Sequence, residues 1–571
     1  MLRVLALLLI TPCCQALPAM ADWLQSPTLL AEKTRVPLHY DQLVQPLEAS
    51  AEPQRIIDLQ GWLRLTPGPV ANIRLYGDSE PAPAAQQLPT MRSRWLFDKQ
   101  GLSLSVDDGL QEPKTGHWDY VIGHGRYWTL PEEQGLYVVA PLHLVEKNQN
   151  CVHNGVVAMR LPFTSGKGHF YYQITSETCA YFKADLWGTG ELDWQPKLLA
   201  DATDKLKAYR QRQASKLPGI SIEQFHDRYP QADMDALLLK GAVAAEDISQ
   251  LGWVMDNAHV RAACPSRSGD YPFCEQLLLP SFSTAKSFIA GNGLMYLEHR
   301  YPGLKDVKVS ALVSQCTAPS WQQVSLLDLL NMRSGHYLSD TYMTDEGAAH
   351  SQRFFNAVTH EDKVGYACKQ FPKQAAAGER FVYQSSQTYL LGTALQQFVW
   401  EQMGSKQSLI KDVIEDGLYR DLALSPIARY HRHSEGGVPF FGYGSLMYNS
   451  DLVAIARFTQ AQRQAEQPRL DSAMLAQALP QGTGYSGHHT GEGQLGYANG
   501  YWALEVTQSL ECNKPTWLAF MSGYGGVTVA FLPDNRLFYY FSDGHVYRWL
   551  AAVKALHALA PLCQSNTESR S

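Results

Sequence analysis

Residues 282–301 read FSTAKSFIAGNGLMYLEHRY, and the reading of the fold starts from their first five. Ser283 and Lys286 stand three apart, and Phe288, Ile289, Leu294, Met295 and Leu297 follow with helical recurrence. This spacing predicts a helix with an apolar stripe whose start carries a serine and a lysine on one face, one turn apart. A serine hydroxyl is a weak nucleophile near neutral pH and needs a base beside it. A lysine can be that base only when burial or nearby positive potential lowers its pKa. The start of a helix also favours negative charge developing on the serine oxygen.

The spacing alone is weak, because a chain of 571 residues holds about one or two S-x-x-K patterns by chance, and a second stands at Ser408–Lys411. Order separates the two. Downstream of Ser283 comes GERFVYQSSQTYLLGTALQQF (378–398), with Tyr383-Gln384-Ser385 just before a helix expected to begin near Gln387. A tyrosine there offers a phenol for proton transfer; the alternative is a packed aromatic. Ser385 reads equally as a substrate contact or as a local hydrogen-bonding residue at a helix start. Later, Met521-Ser522-Gly523-Tyr524-Gly525-Gly526 lies in TWLAFMSGYGGVTVAFLPDNRLFYYFSD (516–543), read as two or three adjacent strands with a turn at Pro533-Asp534-Asn535. Small residues there let backbone approach a bound acyl group, and strand N–H groups are natural oxyanion donors. No comparable elements follow Ser408 in that order.

Taken together, these motifs resemble the serine β-lactamase and penicillin-binding-protein superfamily, in particular its class C β-lactamase-like branch of esterases, D-aminopeptidases, DD-carboxypeptidases and amide-oligomer hydrolases. The resemblance covers roughly residues 241–560. It rests on Ser283 and Lys286, on Tyr383-Gln384-Ser385 in a G-x-x-F-x-Y context from Gly378, and on Met521-Ser522-Gly523 at the Lys/His-x-Gly strand element. SLLDLLNMRSGHY (325–337), SLMYNSDLVAIARF (445–458) and the glycine-rich hairpin from Ser522 are softer matches. The resemblance implies Ser283 as nucleophile, Lys286 and Tyr383 sharing general-base and general-acid work, and an oxyanion hole from the N–H groups of Ser283 and Tyr524. It implies Ser385, Met521, Ser522 and Gly523 as substrate-binding positions. Two residues depart from the family pattern: serine replaces the frequent asparagine at 385, and methionine replaces the usual lysine or histidine at 521. Methionine supplies neither positive charge nor a polar donor for a substrate carboxylate. The expected activity is therefore hydrolysis of an ester or amide in a small or peptide-like substrate through an acyl-enzyme. Two other readings stay open: a catalytically silent binding or sensor protein on the same fold, and a true β-lactamase or D-amino-acid peptidase.

Composition agrees with a folded, exported protein. The chain is 45% hydrophobic and 18% charged, with a net charge of −7, which leaves no electrostatic footprint for nucleic acid and no polybasic patch for anionic lipid. Arg3, the short apolar run VLALLLI (4–10) and Ala19-Met20-Ala21 read as a signal peptide cleaved after Ala21, hence a periplasmic or secreted protein; a membrane anchor and a lipoprotein are the alternatives. Beyond it remain eight cysteines, Cys151, Cys179, Cys264, Cys274, Cys316, Cys368, Cys512 and Cys563. An even number in an exported chain suggests disulfides between sequence neighbours, against buried free thiols. No CxxC, HExxH or G-x-S-x-G is present, so neither a metal, a cofactor nor an α/β-hydrolase elbow is expected.

The predicted class is α+β. An antiparallel sheet flanked by helices, plus a helical lobe, is expected over 241–563. Before it come a β-rich domain at 22–200, carrying NIRLYG, SRWLF, LYVVAPLHLV and HFYYQIT, and a helical connector at 201–240. The β-rich domain carries no catalytic motif and is expected as a separate module, a candidate for binding a cell-envelope polymer, covering the site or mediating assembly. His488-His489, in GYSGHHTGEGQ, reads as a solvated loop with a substrate-lining loop as the alternative, Trp502 as core or pocket wall, and 564–571 as a disordered tail.

Overall fold

The computed structural model describes residues 24, 27–44, 59–129, 135–480 and 484–564. The 1–21 signal segment and, apart from Gln564, the 564–571 tail lie outside them. Among the described residues two large sheets carry the architecture.

The first sheet closes on itself. Strands Leu59–Pro67, Met91–Phe97, Leu102–Ser105, Gly125–Thr129, Gly135–Glu146, Val152–Pro162, Gly166–Thr178 and Lys183–Pro196 pair antiparallel in that order. Leu59–Pro67 then pairs with Lys183–Pro196, Leu63 opposite Trp194, completing a barrel. Asn72–Tyr76 and Trp118–Ile122 extend it from Lys183–Pro196 and Gly135–Glu146. Eight strands leave an interior just wide enough for side chains. Large aromatics occupy the core here, with Trp95 stacked on Phe97 and Phe97 edge-on to Trp194. Strand Leu59–Pro67 alternates buried Leu63 and Leu65 with exposed Trp62 and Arg64, as a half-exposed strand should. Gly135–Glu146 and Val152–Pro162 are buried almost throughout, which requires cover on both faces.

The second sheet provides that neighbour. Its order is Gly219–Ile220, Ala258–Arg261, Ile248–Met255, Arg536–Ser542, Val527–Leu532, Trp517–Gly523, Tyr501–Glu505, Leu495–Ala498 and His488–His489. All neighbours are antiparallel except the first pair. Alternation sorts its side chains between two cores. Ala519, Met521, Val527, Val529, Leu537 and Tyr539 face the core that holds Ala285 and Phe288. Leu518, Phe520, Ala530, Phe538 and Tyr540 face the one that holds Trp549 and, from the helix Leu550–Leu559, Val553 and Leu556. The 201–240 segment is helical at Ala202–Ser215 and Ile222–Arg228, the latter opened by a Ser221/Gln224 capping box. Between them Gly219–Ile220 is sewn to the second sheet. No helix among the described residues is long and apolar enough to cross a membrane.

The β-rich region expected at 22–200 closes into its own barrel and packs closely against the second sheet. Arg267 grips Glu177 with both terminal nitrogens, at 2.8 and 2.6 Å, and Asp185 through Nε at 2.6 Å. The Asn154 side chain accepts from Leu278 N at 3.1 Å and donates to Leu278 O at 3.1 Å. Lys183 joins Asp247 and Asp543 at 2.8 and 2.7 Å. The apolar core runs continuously from barrel residues such as Val156 and Tyr172 to Tyr271 and Leu279. The physical cause is the outer face of the long barrel strands, which is too apolar to stand in water. The four disulfides, Cys151–Cys179, Cys264–Cys274, Cys316–Cys368 and Cys512–Cys563, each join sequence neighbours.

Two local expectations are corrected. The 282–301 stretch is not one regular helix with a stripe. It is a 3₁₀ turn at Phe282–Thr284, a π-helical stretch at Lys286–Gly291 and an α-helix at Asn292–Arg300, buried on nearly every side up to Glu298. Because the segment is enclosed on nearly every side, polar residues such as Lys286, Ser287, Asn292 and Glu298 are buried with the apolar ones and no single stripe faces the core. His488-His489 is a short edge strand rather than a solvated loop, because it pairs with Gly496-Tyr497 and Arg333 Nη1 lies 2.7 Å from the His488 ring.

Candidate active site

Ser283 is half-buried in the turn that leads from strand Leu279–Pro280 into the central helix. Thr284 N and Thr284 Oγ1 both donate to Ser281 O, at 3.1 and 2.6 Å, and tighten that turn. Phe282, immediately before the nucleophile, sits at φ +40°, a conformation costly for a residue with a Cβ.

Lys286 Nζ lies 2.9 Å from Ser283 Oγ, 2.8 Å from Ser385 Oγ and 3.3 Å from Gly442 O. It also lies 4.9 Å from the centre of the Tyr383 ring. Only 1% of Lys286 is exposed. Desolvation lowers its pKa from 10.5 to about 8, opposed by the negative charge of Glu346. Gly442 is required by close approach: a Cβ there would come within 2.9 Å of Thr388 Cβ and 3.4 Å of Lys286 Nζ.

Tyr383 is buried, with its ring packed 5.5 Å from Trp502 and 6.4 Å from Tyr497. Burial raises the pKa of its phenol well above 10, only weakly opposed by Ser283, so it stays protonated. One environment thus pushes the two groups apart, lysine down and tyrosine up. That separation suits a lysine that can accept a proton beside a tyrosine that can donate one. Trp502 serves both as core and as the wall behind Tyr383.

Ser385, 2% exposed, is engaged inside the network. Its hydroxyl accepts from Lys286 and donates to Glu346 Oε1, and its N–H donates to Glu346 Oε2 at 2.8 Å. Glu346 escaped the sequence reading. It stands on the four-residue helix Thr344–Gly347, thirty-nine positions before Ser385, in no motif. The adjacent Asp345 ties that helix to the tyrosine segment, accepting from Leu338 N, Ser339 N and Gln384 Nε2 at 2.9, 3.0 and 2.9 Å. Replacing Glu346 with Gln is expected to lower kcat about tenfold, the loss of one charge-assisted hydrogen bond. It is also expected to move the acid limb of the pH–rate profile to lower pH, because the carboxylate now raises the pKa of Lys286. A kcat/KM profile of both proteins checks the direction; an unmoved or upward limb removes Glu346 from the network.

The glycine-rich strand reaches the same place. Met521 and Gly523 share the face toward the nucleophile turn. A Cβ on Gly523 would stand 3.1 Å from Ser281 O and 3.2 Å from Phe282 Cβ. Met521 is fully buried, Ser522 is half-buried, and the Tyr524 ring, 45% exposed, lies 5.8 Å from that of Phe282. The competing pair separates into a structural role. Ser408 caps a helix by accepting from Lys411 N at 3.1 Å, and the Lys411 side chain is exposed and pairs with Asp416.

No curated protein matches the chain. Among solved structures it is similar to a candidate 6-aminohexanoate-dimer hydrolase from Bacillus anthracis, at 12% identity and a TM-score of 0.43 over 61% of this chain and 89% of that one. It is similar to EstCE1, a hydrolase with promiscuous acyltransferase activity, at 16% identity and a TM-score of 0.42 over 54% and 94%. It is also similar to a penicillin-binding-protein homologue from Caulobacter crescentus, at 12% identity and a TM-score of 0.40 over 57% and 96%. The family model described as Beta-lactamase matches residues 253–542, just over half of the chain, and takes in Ser283, Lys286, Tyr383 and the Met521–Gly523 strand. The chain belongs to the Beta-lactamase family.

Proposed function

We propose that this protein is an exported serine hydrolase that forms an acyl-enzyme on Ser283 and cleaves an ester or amide bond in a small or peptide-like substrate. The carrying observation is the buried Lys286 amine, 2.9 Å from Ser283 Oγ with its pKa lowered to about 8. As Ser283 Oγ bonds to the carbonyl carbon, its proton passes to neutral Lys286. The oxyanion is taken by the N–H groups of Ser283 and Tyr524; the absence of a Cβ on Gly523 lets this strand approach the nucleophile turn. Tyr383, kept protonated by burial, hands a proton to the leaving group and recovers one through Lys286. Water then attacks the acyl carbon by the reverse proton path.

Met521 shapes the substrate side of the reading. Where the family commonly has a cation, this chain places a fully buried thioether. The acidic group nearest the lysine is Glu346, so the site favours substrates without a carboxylate beside the scissile bond. An uncharged ester or amide therefore fits better than a β-lactam or a peptide with a terminal D-amino acid. The N-terminal apolar run and the four disulfides support export.

Incubating the folded protein with a fluorophosphonate or a penicillin probe, then mapping adducts by mass spectrometry, tests the reading. A fluorophosphonate adduct on Ser283 is expected. No adduct with either reagent would favour a catalytically silent binding protein on the same fold.

A further inference from the structure

We infer that Asn150, a residue of the N-terminal barrel, is a positioning residue of the hydrolase site, its side-chain amide clamping the nucleophile turn to the loop that contacts the base. The activity readouts of this inference rest on the hydrolase reading above; the clamp itself does not.

The gap that Asn150 fills arises from the chain path. Leu279–Pro280 pairs antiparallel with Leu446–Met447, and Ser281 N continues the ladder by donating to Ser445 O at 2.9 Å. Past that point the two segments diverge, because Phe282 turns into the helix at φ +40° and Gly444 sits at φ +100°. The N–H groups of Phe282 and Gly444 then lack ladder partners in a buried place, a costly state. Asn150 Oδ1 accepts from both, at 2.7 and 3.1 Å, and from Ser281 Oγ at 3.1 Å. Asn150 Nδ2 donates to Ser445 O at 3.2 Å. A backbone N–H can only donate, so the amide oxygen must face these groups and the orientation of the side chain is set by chemistry. Asn150 is 4% exposed, and among the described residues no other side chain accepts from Phe282 N or Gly444 N.

Both ends of the clamp bear on catalysis. On one side the residue after Phe282 is the nucleophile, and the strained Phe282 backbone that aims it is held at its N–H by Asn150. On the other side the loop containing Gly444 also contains Gly442, whose carbonyl contacts Lys286 Nζ at 3.3 Å. Arg432, which exchanges backbone hydrogen bonds with Phe440 and Gly444 of that loop, is itself pinned to the barrel. Its guanidinium binds Asp119 Oδ2 at 3.0 Å, Gln149 O at 2.6 Å and Glu146 O at 2.7 Å. The barrel turn that presents Asn150 is held in turn by the Cys151–Cys179 disulfide next to it. Serine, base and their spacing are therefore referenced to one rigid turn of the other domain.

The test compares full-length wild type with Asn150→Ala and Asn150→Asp; aspartate keeps the oxygen that faces Phe282 and Gly444. Three quantities are read: the rate of fluorophosphonate labelling of Ser283, kcat and KM on a p-nitrophenyl ester, and hydrogen exchange in peptides spanning 279–287, 441–447 and 517–523. Asn150→Ala is expected to slow labelling and kcat about 100-fold, the cost of a displacement of about 1 Å in a reacting group, with KM changed less than about threefold. Exchange should quicken at 279–287 and 441–447 and stay unchanged at 517–523. Asn150→Asp should remain within about tenfold of wild type. Labelling of Asn150→Ala within about threefold of wild type overturns the inference. If Asn150→Ala does not fold, Asn150→Thr, of similar bulk but without the amide, takes its place in every comparison. If wild type itself takes no label, the hydrolase reading fails separately, and exchange alone decides the clamp: unchanged protection at 279–287 overturns it, faster exchange supports it.

Discussion

Ser283→Ala is expected to lower kcat/KM on an ester substrate by at least about 10⁴-fold while leaving the fold intact. The size follows from the lack of a substitute. The covalent step needs an oxygen 2.9 Å from Lys286, and the pair of hydroxyls bonded to that amine has only one member open to substrate. Ser283 is half-buried, whereas Ser385 is 2% exposed and committed to Glu346. The fold should tolerate the change because Lys286 keeps Ser385 Oγ and Gly442 O as partners and the turn keeps its Thr284 bonds. Intact-protein mass after fluorophosphonate treatment gives a second readout, with the adduct gone in the alanine protein. A loss smaller than about 100-fold would place the nucleophile elsewhere and end the proposed mechanism.

Lys286→Met should remove about 10³-fold in kcat, within the range for losing a general base, and with it the acid limb of the pH profile. Only the neutral amine can accept the serine proton. With its pKa at about 8 instead of 10.5, roughly one amine in ten is free at pH 7, against about one in three thousand for an exposed lysine. Wild-type kcat/KM should therefore climb with pH and level off above about 8. The groups facing the amine are Ser283, Ser385, the Gly442 carbonyl, the Tyr383 ring and, through Ser385, Glu346. Stability moves with pH in the same direction. The folded pKa lies below the unfolded one, so the lysine's contribution is present above 10.5 and lost as pH falls through about 8. At pH 7 the native state holds a desolvated ammonium, and methionine, of similar length, relieves that. The variant should be inactive yet melt higher than wild type at pH 7, by thermal denaturation. Activity within about tenfold of wild type, or a melting temperature that falls, would contradict the assignment.

How much of this was legible in the chain differs from element to element. The serine, the lysine and the tyrosine motif could be read because each is carried by a few adjacent residues, and their order along the chain identified the family. The strands from Trp517 to Ser542 could be read because alternation reports which residues face a core. Glu346 could not. It is an acidic residue in a polar loop, and only the packing of helix Thr344–Gly347 against the tyrosine segment places it on Ser385. Asn150 was invisible for the same reason: 132 positions separate it from the Phe282 N–H it satisfies. Barrel closure was equally hidden, since the texture of Leu59–Pro67 says strand but not that its partner is Lys183–Pro196. The N-terminal region carries no catalytic motif, and a buttress needs none, so its contact with the second sheet is not written in any local stretch of sequence.

By itself, then, the sequence determined the family, the sheet-forming segments and the serine–lysine pair proposed for catalysis, because those depend on neighbours along the chain and on side-chain periodicity. The tertiary structure decided that burial lowers the pKa of Lys286 and raises that of Tyr383, that Glu346 joins Ser385, and that Asn150 of the barrel bonds the turn carrying Ser283. Those properties depend on desolvation and on hydrogen-bond partners supplied from distant segments. A pKa or a satisfied N–H belongs to everything packed around it, so it exists only once the chain has closed on itself.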